Sequence, residues 1–119
     1  MSYGLYELAE RRQAGKKPKF VVVRLCKTKP AVDWWKSQDM TPTIWIAHGE
    51  EMPDMLPLIG LDVTFYADRW TEQAADIFEE LTKLCVFVLV VSPELQDVGF
   101  KWHRSHGTVL LGETWEAAA

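Results

Sequence analysis

The sequence predicts an α/β fold, a three-layer sandwich in which a mostly parallel sheet carries helices on both faces. Two observations predict it. Segments with helical periodicity alternate with short apolar segments suited to strands, and one of these, CVFVLVV, is apolar without a break. A chain of 119 residues has room for one hydrophobic core. We therefore expect one α/β domain over residues 1–119.

The first half of the chain predicts two helices and two strands. A first helix ends at Gly15, and residues 19–26, KFVVVRLC, form strand one. Residues 30–38, PAVDWWKSQ, predict a short helix, because proline is tolerated in a first turn. Residues 43–48, TIWIAH, form strand two, with Trp45 expected in the core.

The second half predicts two more strands, a long helix and a hairpin. Residues 49–60 contain two prolines and leave room for one helical turn at most. Residues 61–67, LDVTFYA, alternate as strand three, and Thr71 caps the clearest helix of the chain. Residues 85–91, CVFVLVV, suit a strand covered on both faces. Residues 98–115 alternate on both sides of Arg-Ser-His-Gly, which predicts a β-hairpin with a four-residue turn.

The burial expected of each strand predicts the sheet order 3-2-1-4, typical of Rossmann-like sheets, with the hairpin beyond strand four. Strands one and four are predicted to be central because they are apolar, and strand three to be an edge because it alternates. Strands two and three can also be antiparallel, because their connection is close to the shortest possible crossover. The residues expected to be almost fully buried are Val22, Ile46, Phe65, Ile77, Leu81, Val88 and Val90.

The two cysteines and the absence of a long apolar segment bear on localisation. Cys26 and Cys85 lie in apolar strands at opposite edges of a parallel sheet, so we expect two free thiols. No segment approaches the roughly 20 apolar residues of a membrane span, and MSYGLYELAERR lacks the order of a signal peptide. The sequence therefore predicts a cytoplasmic protein that does not enter a membrane.

Candidate catalytic residues follow strands two and three, at the edge where α/β proteins bind ligands. They are Asp68, His48 and Glu50, because a carboxylate that holds a histidine suits acid/base chemistry or metal ligation. The sequence favours a structural role for Asp68, which closes the turn before the helix: Arg69 can neutralise it, while Thr71 and the helix N-terminus can hold it. Whether the protein is an enzyme stays open at this point.

The sequence shows no signature of a cofactor or of a metal site. No phosphate-binding glycine pattern follows a strand, and KTKP, the turn after strand one, contains no glycine. His103 and His106 have no third ligand nearby in sequence, which favours an exposed polar turn over a metal site. We therefore expect neither a bound cofactor nor a metal.

Charge is distributed unevenly along the chain. Residues 1–36 contain nine Lys/Arg and three acids, a net of +6, whereas residues 37–119 have a net of −10. Such asymmetry can indicate nucleic-acid binding, but the isoelectric point near 5.3 favours a basic third that folds against the acidic remainder. The residues that would bind nucleic acid are Arg11, Arg12, Lys16, Lys17, Lys19, Lys101 and Arg104.

Among functions, the lack of a complete catalytic motif favours a small interaction or regulatory module that acts through protein–protein contacts. The hairpin supports this hypothesis, since its outer strand can pair with the edge of another chain. We expect Trp102, Trp115 and Arg104 to contact a protein partner or a second copy of the chain. A small acid/base or metal-dependent enzyme is the first alternative, and nucleic-acid binding is the second.

Overall fold

A computed structural model describes residues 5–16, 18, 20–26, 43–94, 100–105 and 107–110. Within these ranges lie the helices α1 (Leu5–Gln13) and α2 (Glu72–Leu84) and a 3-10 helix over Leu56–Leu58. The strands are β1 (Phe20–Cys26), β2 (Thr43–Ala47), β3 (Asp62–Ala67), β4 (Phe87–Val91), β5 (Phe100–His103) and β6 (Gly107–Leu110). They form one sheet.

The sheet order is β2-β1-β3-β4-β5-β6. Strands β1 to β4 run parallel, and β5 and β6 form an antiparallel hairpin beyond β4. A mostly parallel sheet is therefore confirmed, but the predicted order 3-2-1-4 is wrong, because β3 lies between β1 and β4. Strands β2 and β3 are both parallel to β1, which excludes the antiparallel alternative.

The order was mispredicted because alternation in β3 reflects two different faces of the sheet and not an edge position. Val63 and Phe65 are buried on one face, while their neighbours along the strand are half-buried or exposed. Strand β4 repeats the pattern, with Val88 and Val90 buried but Val91 39% exposed. Phe87 and Leu89 on the second face are half-buried, so the expected cover of both faces is only partial among the described residues.

A continuous apolar row runs across the buried face and forms the core. In the strand register Val23 lies beside Phe65, and Phe65 lies beside Val90. Leu8 of α1 and Ile77 of α2 belong to the same buried cluster. Side chains on one face of adjacent strands are close enough to pack directly. The core thus joins the sheet to both described helices.

Six of the seven residues predicted to be buried belong to this cluster, and Val22 is the exception. Val21 and Val23 point into the core, so the alternation of the strand leaves Val22 half-buried on the other face. Trp45 is also half-buried on that face, which corrects its expected core position. Residues 30–38 lie outside the described ranges, so a helical layer over this second face stays a prediction.

The helix and hairpin ends agree closely with the sequence. Thr71 caps α2 as predicted, since its Oγ1 accepts a hydrogen bond from the backbone N–H of Ala74 at 3.2 Å. His103 pairs with Gly107, which already belongs to β6, so the hairpin turn is shorter than the predicted four residues. Gly107 has φ = +75°, a conformation that glycine adopts without strain.

Within the described residues, neither helix is long and apolar enough to cross a membrane.

Candidate functional sites at the two edges of the sheet

The winding of the sheet reverses between β1 and β3, since β2 lies on one side of this pair and β4 on the other. Doubly wound sheets bind ligands at the carboxyl ends of their strands beside such a reversal. Cys26 ends β1 here, and Asp68 directly follows β3. The backbone N–H of Asp68 donates to the carbonyl of Leu25 at 3.1 Å, which fixes Asp68 beside the end of β1.

The side chains of His48 and Asp68 meet at this carboxyl edge. Nε2 of His48 lies 2.5 Å from Oδ1 of Asp68, and the two side chains are 22% and 27% exposed. The contact suggested by the sequence is therefore present, but not between neighbouring strands. It passes over the end of β1, across two strand spacings of roughly 4.8 Å each.

The loop that carries His48 is held by hydrogen bonds on both sides. Oε1 of Gln73, in the first turn of α2, accepts from the N–H of Gly49 at 3.0 Å. Nε2 of Gln73 donates to the carbonyls of Ala47 and Glu50 at 3.2 and 3.0 Å. Gly49 has φ = +83°, so the tight turn after β2 requires the conformational freedom of glycine. The backbone position of His48 is consequently fixed by the side chain of Gln73.

Glu50, the third predicted catalytic residue, takes part in this loop and not in the His48–Asp68 pair. Its Oε2 accepts from the N–H of Ala47 at 2.9 Å, and its own N–H donates back to the carbonyl of Ala47 at 3.0 Å. Among the residues that the structure describes, no three His, Cys, Asp or Glu side chains are arranged to hold a metal ion. The carboxyl edge thus offers a histidine–aspartate pair for chemistry.

Cys26 lies at the same reversal but is not activated as a nucleophile. Burial raises the pKa of its thiol, the Asp68 carboxylate raises this pKa further, and Arg24 opposes both effects. The thiol therefore keeps its proton at neutral pH. Cys26 and Cys85 are both free, as expected from the sequence.

Two charged side chains of the carboxyl edge, Arg69 and Glu94, bind each other. Arg69 pairs with Glu94 at 3.5 Å, although the sequence suggested that Arg69 neutralises Asp68. Glu94 also accepts from the backbone N–H of Trp70 at 3.0 Å, which ties the end of β4 to the start of α2. The ring of Trp70 lies against Phe65 and Phe100, with centroid distances of 5.9 Å to each. Trp70 therefore anchors this corner in the core, a role that the sequence did not indicate.

The hairpin residues predicted to contact a partner are largely engaged within the protein. Trp102 is half-buried and packs against the core. One terminal guanidinium nitrogen of Arg104 donates to the carbonyls of Cys85 and Lys83 at 2.9 and 3.3 Å. Such contacts satisfy carbonyls left open at the end of a helix. Arg104 thus attaches the hairpin to α2, whereas Trp115 lies outside the described residues.

A different surface is apolar and exposed, and it lies at the opposite, amino edge of the sheet. Leu56 is 56% exposed and Ile59 is 48% exposed. We call this region the amino-edge surface. It forms a concavity of about 410 Å³, whose lining residues are Ala9, Arg12, Asp54, Leu56, Pro57 and Ile59. This exposure could not be predicted, because LPLI in a short connection is equally compatible with burial.

Arg12 joins the two walls of this concavity. Its guanidinium donates to the carbonyls of Pro57 and Ile59, each at 2.6 Å. Arg12 and Arg104 were both candidates for nucleic-acid binding, and both guanidinium groups are bound to backbone carbonyls here. Lys17 and Lys19, two further candidates, lie outside the described residues.

No family model, curated protein or solved structure matches this chain.

Proposed function

We propose that the chain is a small cytoplasmic interaction module that binds a protein partner at the amino-edge surface. The observation that carries the proposal is the pair of large apolar side chains, Leu56 and Ile59, that are about half exposed beside a concavity. Exposed apolar groups that cluster next to a concave surface are typical of sites that bind other molecules. The two free cysteines support a reducing, cytoplasmic location.

The backbone beneath these side chains is rigid, which favours binding. Leu58, between the two exposed residues, is fully buried in the core. Gly60 donates its N–H to the carbonyl of Leu84 at 2.8 Å, and Arg12 holds the carbonyls on either side of Leu58. A surface that is ordered before binding loses little conformational entropy when a partner docks.

The size of the surface supports a short peptide segment as the partner. A stable dimer buries about 800 Å² on each protein, more than two large side chains and their small neighbours provide. A shallow, open concavity of about 410 Å³ instead has room for only a few side chains. Arg12 and Asp54 line the same concavity and give it a polar rim. We therefore propose a segment that inserts one or two large aliphatic or aromatic side chains.

A displayed library of short peptides, selected on the full chain, tests the proposal. We expect the selected peptides to share one or two large apolar residues and to bind with micromolar affinity by calorimetry. Leu56→Ser and Ile59→Ser should each weaken binding by about tenfold, since every 1.4 kcal/mol changes an affinity tenfold. Val91→Ser is the matched control, because Val91 is also exposed and apolar but lies at the opposite, carboxyl edge of the sheet.

Two outcomes would contradict the proposal. Selected peptides that bind the Leu56→Ser and Ile59→Ser variants as tightly as the original chain would place the docking site elsewhere. Sedimentation that shows a dimer of the original chain, dissociated by Ile59→Ser, would replace the peptide with a second copy.

A further inference from the structure

We infer that His48 is the general base of a second site, at the carboxyl edge, and that Asp68 is its positioning residue. The inference is independent of the amino-edge surface, which lies at the other end of the strands. It rests on the direction in which the imidazole ring is held, on the rigidity of the loop that carries it, and on its place in the sheet.

The hydrogen bond to Asp68 decides which ring nitrogen is basic. An ionised carboxylate accepts hydrogen bonds and cannot donate them, so Nε2 of His48 must carry the ring proton in the 2.5 Å contact. In the neutral form of the ring, Nδ1 then has a free lone pair. Among the described residues Nδ1 has no hydrogen-bond partner, and the side chain is 22% exposed. A ligand can therefore deliver a proton to Nδ1.

The surrounding contacts hold the backbone on both sides of the His48–Asp68 pair. Gln73 makes three hydrogen bonds to the loop that carries His48, and Glu50 closes the turn from the other side. Asp68 is itself fixed to the end of β1 through its backbone N–H. A general base works when it is already in position, so this fixed geometry suits proton transfer.

The pair also lies directly over the reversal of winding between β1 and β3. The crevice beside such a reversal is where doubly wound sheets bind small molecules. Cys26 lies below the pair at the end of β1, but burial raises the pKa of its thiol and keeps it protonated. A water molecule or a hydroxyl of the ligand is the proton donor that we propose for His48.

Hydrolysis of p-nitrophenyl acetate is a simple probe of such a base. A water molecule gives a proton to Nδ1 of His48 while its oxygen bonds to the acyl carbon. The bond between the acyl carbon and the phenolic oxygen then breaks, p-nitrophenolate leaves with the electron pair, and the imidazolium and the acetic acid each release a proton to solvent. Acetate and p-nitrophenolate are the products, and no oxidant or cofactor is needed.

The full chain and three variants should be compared across a range of pH. We expect His48→Gln to lower the rate by about tenfold or more, in line with the usual contribution of a general base. Asp68→Asn should cause a similar loss, because its amide can donate to Nε2 and move the ring proton to Nδ1. His103→Gln is the control, since Nδ1 of His103 already accepts from the Oγ of Ser105 at 2.9 Å.

Nitrogen NMR of the His48 ring gives a second, independent readout that does not depend on folding of a variant. In the neutral form of the ring, Nε2 should carry the proton and Nδ1 should be unprotonated. A neutral ring protonated on Nδ1 would overturn the inference, as would an unchanged rate in His48→Gln. A folded Asp68→Asn variant with the original rate and pH profile would overturn the positioning role of Asp68.

Discussion

The two edges of the sheet use their side chains in opposite ways. At the carboxyl edge, Gln73, Glu50 and Glu94 bind backbone groups, and a single histidine is held in a fixed direction by Asp68. At the amino edge, the backbone is bound internally while Leu56 and Ile59 extend into solvent. Fixed polar contacts suit a reaction at a single atom, here a ring nitrogen of His48. Exposed apolar side chains on a fixed backbone suit the binding of a partner molecule.

Helix α2 connects the two edges, because each of its ends is bonded to one of them. Gln73 in its first turn holds the loop after β2, and the carbonyl of Leu84 in its last turn accepts from Gly60. Ile77, midway between these ends, is fully buried in the core. The edges therefore share one support, and substitutions can test how far each depends on it.

The largest effect is expected inside the amino edge. Leu58→Ala should lower the free energy of unfolding by about 2 to 5 kcal/mol, since the buried leucine would leave a cavity. Leu56→Ala is the matched control, two residues away and exposed, and should change stability by about 0.5 kcal/mol or less. Urea denaturation measures both. Similar losses in the two variants would mean that the edge has no division between anchoring and exposed residues.

The next effect is the pH dependence of stability caused by Cys85. This cysteine lies near the amino edge, whereas Cys26 lies at the carboxyl edge. Burial raises the pKa of the Cys85 thiol from 9.0 to about 12. As pH rises, the unfolded chain therefore loses the thiol proton at a lower pH than the folded chain does. The protonated thiol makes its full contribution to the free energy of unfolding below pH 9, and this contribution is lost as pH rises towards 12. The slope can reach about 1.4 kcal/mol per pH unit for one proton.

Unfolding measured between pH 8 and about pH 11 tests this expectation. Cys85→Ala should remove that part of the slope, although it also lowers stability at every pH by creating a cavity. Cys26 is half-buried and Cys85 is buried, so a thiol reagent should modify Cys26 first in the folded protein. Faster reaction of Cys85 would show that the amino edge opens more readily than its contacts indicate.

The smallest of these effects is expected at the carboxyl edge. Gln73→Ala removes three partly exposed hydrogen bonds and should cost about 1 to 2 kcal/mol. Hydrogen exchange should show faster exchange of the Gly49 amide, whose partner is lost. Glu79→Ala, at an exposed position of the same helix, is the control. Unchanged exchange at Gly49 would mean that the loop holds itself without α2.

Local structure could be predicted from the sequence because its signals are local. The cap at Thr71 and the apolar stripe of α2 correspond to the helix that forms, and the alternation in residues 61–67 corresponds to β3. The order of the strands could not be predicted in the same way. An alternating strand fits an edge, but it equally fits a central strand in a sheet with one buried and one half-open face.

The phase of β1 was ambiguous for a related reason. Phe20 to Val23 are all apolar, so the sequence does not state which residues point into the core. Only the register with β3, which places Val23 beside Phe65, resolves it. The His48–Asp68 pair could be predicted, because His48 ends one predicted strand and Asp68 directly follows another. The exposure of Leu56 and Ile59 could not be predicted, because it depends on where α1 packs.

The position of β1 also has a consequence for synthesis on the ribosome. Its partners come from later in the chain, since Val22 lies beside Thr43 on one side and Val23 beside Phe65 on the other. While only the first half has emerged, β1 can pair with β2 alone, and the edge destined for β3 is open. An open strand edge invites pairing with other chains. A strand with a neighbour on each side in the finished sheet is thus an exposed template in the nascent chain.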